Sequence, residues 1–93
     1  MDKKTEQALE ILYQSAKNIK TEEEARFFFK TLLTEKETQL IAQRLYVSKL
    51  LSENKVYSEI VAETGASSAT VSRVKRAMAA DKEYFEILLD GIK

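Results

Sequence analysis

Between Ser67 and Arg76 the chain sets out small hydroxyl and methyl groups followed by cations: Ser67, Ser68, Ala69 and Ser72, then Arg73, Lys75 and Arg76. On one helix, the small groups near its start can approach base edges in a DNA major groove, and the cations behind them can reach phosphates. That chemistry is recognition by shape, hydrogen bonding and charge. The plainer reading is a helix whose cations only offset the negative end of its dipole.

Bond-making chemistry has little to work with. The sequence contains no Cys and no His, which excludes a thiolate, an imidazole base and the usual zinc ligands, leaving carboxylate sites for magnesium formally open. Glu22 to Glu24 fall in a helix's first turn, where the dipole accounts for them. Glu83 and Glu86 read as a solvated face. No nucleophile, base or phosphate loop accompanies any carboxylate pair, so neither an enzyme nor a cofactor is expected.

The cation-bearing helix needs elements to hold it, and the stretch YSEIVAETGASSATVSRVKRAMAA, Tyr57 to Ala80, supplies them. Ile60, Val61 and Thr64 share one face of a first short helix. Gly65 ends it in a left-handed conformation, Ala66 and Ser67 turn the chain, and Ser67 caps a second helix on which Val71, Val74 and Met78 recur at helical spacing. This is helix-turn-helix grammar, in which the first helix supports a second that enters the major groove. A plain helical hairpin would use the same glycine as a C-cap.

The rest of the chain reads as further helices, since it has no proline, two glycines and abundant Glu, Lys, Ala and Leu. Residues 4 to 19 carry Ala8, Leu9, Leu12, Ala16 and Ile19 on one stripe, with Met1 to Lys3 expected to fray. Thr21 with Glu24 is a capping box opening a helix through Phe27, Phe28, Phe29, Leu32 and Leu33. Three consecutive phenylalanines cannot share a face, so this helix is expected to be covered on more than one side by a second chain. Thr34 with Glu37 is a second capping box, starting the longest helix, whose apolar positions spread around its circumference as far as Asn54. Asp81 is expected to cap a last helix holding Tyr84, Phe85, Ile87, Leu88, Leu89 and Ile92.

At 93 residues with zero formal net charge, the chain is one small domain, of a size often stabilised by oligomerisation. Zero net charge weighs against nucleic-acid binding. Charge is uneven, however: residues 1 to 53 balance, residues 54 to 80 are in positive excess and the tail is acidic. The N-terminus lacks a long apolar run, so no signal peptide or membrane span is expected, and the location expected is cytoplasmic.

With LLTEKETQLIAQRL leading a long helix into YSEIVAETGASSATVSRVKRAM, the chain resembles the Trp repressor superfamily and, within it, the small TrpR-related YerC/YecD branch. The most specific part is ETGASSATVSRV, together with the threonine-capped helix containing Arg44. The resemblance implies an all-α, six-helix protomer in an intertwined homodimer, with a single domain over residues 1–93. Residues 4–53 would be the dimerisation core, 54–80 the helix-turn-helix and 81–93 a C-terminal dimerisation helix.

Carried over residue by residue, the resemblance places DNA contacts at Ser68, Ala69 and Ser72 and at Ser58 and Val61 on the supporting helix; the residues themselves add Ser67, Arg73, Lys75 and Arg76 to the expected DNA-binding surface. Val61 stands where the repressor has a lysine, removing one phosphate contact. The tryptophan pocket maps in part. Thr34, Arg44 and Arg73 match the threonine and two arginines around that ligand, whereas Val74 replaces a glycine beside the indole and Ala77 a serine near the ligand. Added bulk and a lost polar group both act against tryptophan, and Val74 also suits the hairpin core.

The function expected is a sequence-specific transcription regulator, a repressor by resemblance, binding double-stranded DNA as a homodimer in the cytoplasm at the bacterial nucleoid. A small-molecule effector stays open, with tryptophan not expected to be it. The alternative is a helical protein-interaction module with a vestigial helix-turn-helix, favoured by zero net charge and by Val61.

Overall fold

The computed structural model describes residues 1–93, and they form six α-helices without a strand. The proline-free, Leu- and Ala-rich composition predicts this all-α class. Two units divide the chain, Met1–Glu35 and Lys36–Lys93. No helix is long and apolar enough to cross a membrane.

In the first unit, α1 spans Lys3–Lys17 and α2 spans Glu22–Leu32. α1 begins at Lys3, one residue earlier than expected. Asp2 Oδ1 accepts the Thr5 N–H at 2.8 Å and caps α1, and that bond holds the Asp2 carboxyl below its usual range. The helix also stops earlier than residue 19, because the Asn18 and Ile19 N–H groups turn to the carbonyls three residues back, Ser15 and Ala16, each at 3.1 Å. The capping box of α2 is complete: Thr21 Oγ1 accepts the Glu24 N–H at 3.1 Å, and Glu24 Oε1 accepts the Thr21 N–H at 3.0 Å. Phe28 and Phe29 stack edge to face with centroids 5.3 Å apart, whereas Phe27 is 66% exposed.

The second unit contains nearly all of α3 (Glu35–Ser52), then α4 (Tyr57–Thr64), α5 (Ser68–Ala80) and α6 (Lys82–Leu89). α3 begins one residue after Thr34 and ends two residues before Asn54. Asn54 sits just past the helix at φ 62°. Its N–H donates to Leu51 O at 3.0 Å and that of Lys55 to Leu50 O at 3.1 Å, the paired bonds of a Schellman motif, which leaves the left-handed residue outside the helix.

Val47 and Leu50 of α3, Ile60 of α4, Ala66 of the turn, and Val71 and Val74 of α5 form the buried core. Leu51 and Met78 close its edge. Ser48 is buried among them, and its hydroxyl donates to Leu45 O at 2.6 Å, so the polar atom carries no penalty. α6 contacts α5 and is half-buried at Phe85 and Leu89. Asp81 does not cap α6 with its side chain, contrary to the sequence reading. It also terminates α5; its backbone carbonyl receives the Tyr84 and Phe85 N–H groups at 3.1 and 3.2 Å. Ile92 lies beyond the end of α6.

Candidate nucleic-acid interface

The angle between α4 and α5 is set by a three-residue turn. Gly65 lies at φ 74°, and its N–H donates to Val61 O at 2.9 Å. A Cβ there would make only an ordinary contact, with Gln43 Nε2 at 4.0 Å, so the glycine is required by its dihedral angle. The Thr64 hydroxyl donates to Ile60 O at 2.7 Å and accepts the Ala66 N–H at 3.1 Å. Ala66 is buried. Ser67 then caps α5 as predicted: its Oγ accepts the Thr70 N–H at 3.1 Å and donates to Thr70 Oγ1 at 3.1 Å.

With Val71 and Val74 in the core, the opposite side of α5 faces outward. Ser68, Ala69, Arg73, Lys75 and Arg76 are exposed, as are Ser67 at the cap and Ser58 on α4. Two sequence readings need correction. Ser72 is half-buried rather than fully outward. Val61, assigned to the face of Ile60, is 37% exposed; adjacent residues on a helix point about 100° apart, so full burial of Ile60 turns Val61 toward solvent.

The ring of Tyr57, at the start of α4, lies 5.6 Å from Lys75 Nζ, a cation–π contact between α4 and α5. Sequence spacing gave no sign of it. Two further contacts escaped the sequence reading for the same reason, since partners about twenty residues apart leave no local pattern. Gln43 Nε2 of α3 donates to Thr64 O at 3.2 Å, and Tyr46 OH donates to Glu63 Oε2 at 3.0 Å. Donating to a carboxylate favours the neutral phenol and raises the Tyr46 pKa above its usual 10.0.

The residues carried over for a ligand pocket lie on or just before α3 and on α5. Thr34 precedes α3, Arg44 and Arg73 are exposed on α3 and α5, Ala77 is half-buried, and Val74 is 7% exposed within the core. A groove of about 520 Å³ exists elsewhere, between the end of α5, α6 and Ser52 of α3; Met78, Phe85 and Leu89 supply its apolar lining. No group of three His, Cys, Asp or Glu side chains is placed to hold a metal ion.

The family model described as Trp repressor protein matches residues 7–93. The chain belongs to the Trp repressor family. It is 42% identical over 93 residues to the uncharacterized protein YerC of Bacillus subtilis (strain 168), a match covering 100% of this chain and 89% of YerC. The crystal structure of a TrpR like protein from Eubacterium eligens ATCC 27750 superimposes with a TM-score of 0.80 at 36% identity, over 90% of this chain and 87% of that one. A structure from Staphylococcus aureus gives 0.79 at 37% identity, over 89% and 83%. For this Trp repressor family member, the structure explains one departure noted in the sequence: Val74 is a core residue between α5 and its neighbours.

Proposed function

We propose that this protein is a sequence-specific DNA-binding transcription regulator that acts as a homodimer, with α4 and α5 as its helix-turn-helix. The observation that carries the reading is the two-sidedness of α5. Val71 and Val74 fix it to the core, while Ser68 and Ala69 at its start and Arg73, Lys75 and Arg76 behind remain exposed. Membership of the Trp repressor family supports the same conclusion.

Ser68, Ala69 and the accessible part of Ser72 read bases; Arg73, Lys75 and Arg76 position the phosphate backbone. Tryptophan is not the corepressor, because Val74 fills the position where an indole would need space. The regulator works in the cytoplasm, on double-stranded DNA.

Selection of binding sites from genomic fragments, followed by gel shift, tests the proposal. Specific retention at moderate salt is expected. No retention even at low salt would replace it with a protein-interaction module, which zero net charge favours.

A further inference from the structure

The polar side chains that join α4 to α3 take no part in the exposed surface of α5. The last carbonyls of a helix have no partner within it. At the end of α4, Gly65 N–H satisfies Val61 O and the Thr64 hydroxyl reaches Ile60 O. Thr64 O, at the turn itself, receives its hydrogen bond from another helix, through Gln43 Nε2 at 3.2 Å. Three residues along α3, and so on the same face, Tyr46 OH donates to Glu63 Oε2 at 3.0 Å.

The apolar contacts beneath these bonds are non-directional: Val47 and Leu50 against Ile60 resist separation more than they resist rotation. Hydrogen bonds are directional. Two of them, made to consecutive residues from one face of α3, fix the tilt of α4, and the rigid turn transmits that tilt to α5. We infer that Gln43 and Tyr46 are positioning residues, a polar clamp that sets the angle of α5 on α3 and thereby the half-site separation the protein reads. The consequence for DNA rests on the proposed function. In a two-fold dimer the separation of half-sites follows from where the two recognition helices lie, so angular freedom of α5 becomes tolerance of wrong separations.

Gln43→Glu keeps the side chain's size but sets a carboxylate oxygen against the Thr64 carbonyl. Tyr46→Phe removes only a hydroxyl. Glu63→Gln keeps an acceptor for Tyr46 and serves as the conservative control, expected to match wild type in spacing preference. Circular dichroism confirms folding of each variant. Two measurements follow: amide hydrogen exchange at Gly65 and Ala66, and binding to DNA whose half-sites are moved apart in single base-pair steps.

Faster exchange at both amides is expected in Gln43→Glu and Tyr46→Phe. Affinity at the preferred separation should fall by roughly two- to tenfold, the order expected for losing one hydrogen bond, with a smaller fall at neighbouring separations. In Tyr46→Phe the salt slope should not change, since neither a charge nor a phosphate contact is lost. Unchanged exchange refutes the clamp. Faster exchange with an unaltered spacing preference refutes its role in reading DNA, and a reduced salt slope in Tyr46→Phe refutes it too by showing that this side chain touches phosphate. If wild type binds no DNA at low salt, the proposed function fails and the spacing role falls with it; exchange still decides whether the clamp exists.

Discussion

Lys75 and Arg76 are adjacent cations in unlike settings, since Lys75 Nζ lies over the Tyr57 ring and Arg76 is exposed. If both serve phosphates, alanine at either position should weaken all DNA about equally and lower the salt slope by about one. Replacing Tyr57 with leucine should leave that slope alone, because the Lys75 charge remains. Ala69 to a bulky residue, or Ser72→Ala, should instead change preference among sites by roughly 1–3 kcal/mol at constant salt slope. Binding titrations at several salt concentrations separate the two patterns. Val74 makes a second residue-scale test. Its burial predicts that calorimetry with L-tryptophan will show no dissociation constant at or below roughly 100 µM, about −5.5 kcal/mol. Val74 was legible from its spacing with Val71, because a core position repeats locally; Lys75 on Tyr57 was not, because it depends on how two helices cross.

At the scale of helices, the termini were the most readable features. Thr21, Gly65 and Ser67 act as their residue types predict. Asp81 does not, and the reason is connectivity: one residue joining two helices cannot take the extended backbone that a capping side chain needs. Asn54 offers a clean test. At φ 62° it occupies a conformation that costs most residues about 1–2 kcal/mol, so Asn54→Ala should lower stability in denaturant titrations by about that much, whereas Asn54→Gly should be nearly neutral or stabilising. The capping box of α2 adds a pH test. Hydrogen bonds from the Lys20 backbone, and from the Thr21 side chain and backbone, lower the Glu24 pKa from 4.5. A depressed carboxylate stabilises the fold above its unfolded pKa, and that contribution is lost as pH falls through the folded value. Thermal melts from pH 6 to pH 3 should therefore fall less steeply for Glu24→Gln than for wild type.

For the whole molecule, the decisive feature is which helices find cover within one chain. Every residue of the buried core belongs to α3, α4, α5 or the turn between the last two; α1, α2 and α6 contain no buried residue. Yet they display large apolar groups, including Ile11 at 63% exposure, Phe27 at 66% and Ile87 at 69%. Surplus apolar positions were visible in the sequence as three consecutive phenylalanines and as a last helix apolar on more than one face. What covers them was not visible, because periodicity reports which side chains seek burial and not which chain provides it. A second copy is the partner we propose, since a self-complementary surface needs nothing beyond the chain itself. If these faces meet in an obligate dimer, folding and association are one equilibrium, and the melting temperature must rise with protein concentration. Melts at about 1 µM and 100 µM test this, together with sedimentation across the same range. Phe27→Ser should lower both the dimer fraction and the melting temperature. It should leave exchange protection in the core of Val47, Ile60 and Val71 less affected than protection in α2, because that core is closed within one chain. A species that sediments as a monomer at micromolar concentration and still melts cooperatively, at a temperature independent of concentration, would overturn the dimer and with it the two-fold spacing expected of its DNA sites, about 34 Å or a multiple of it.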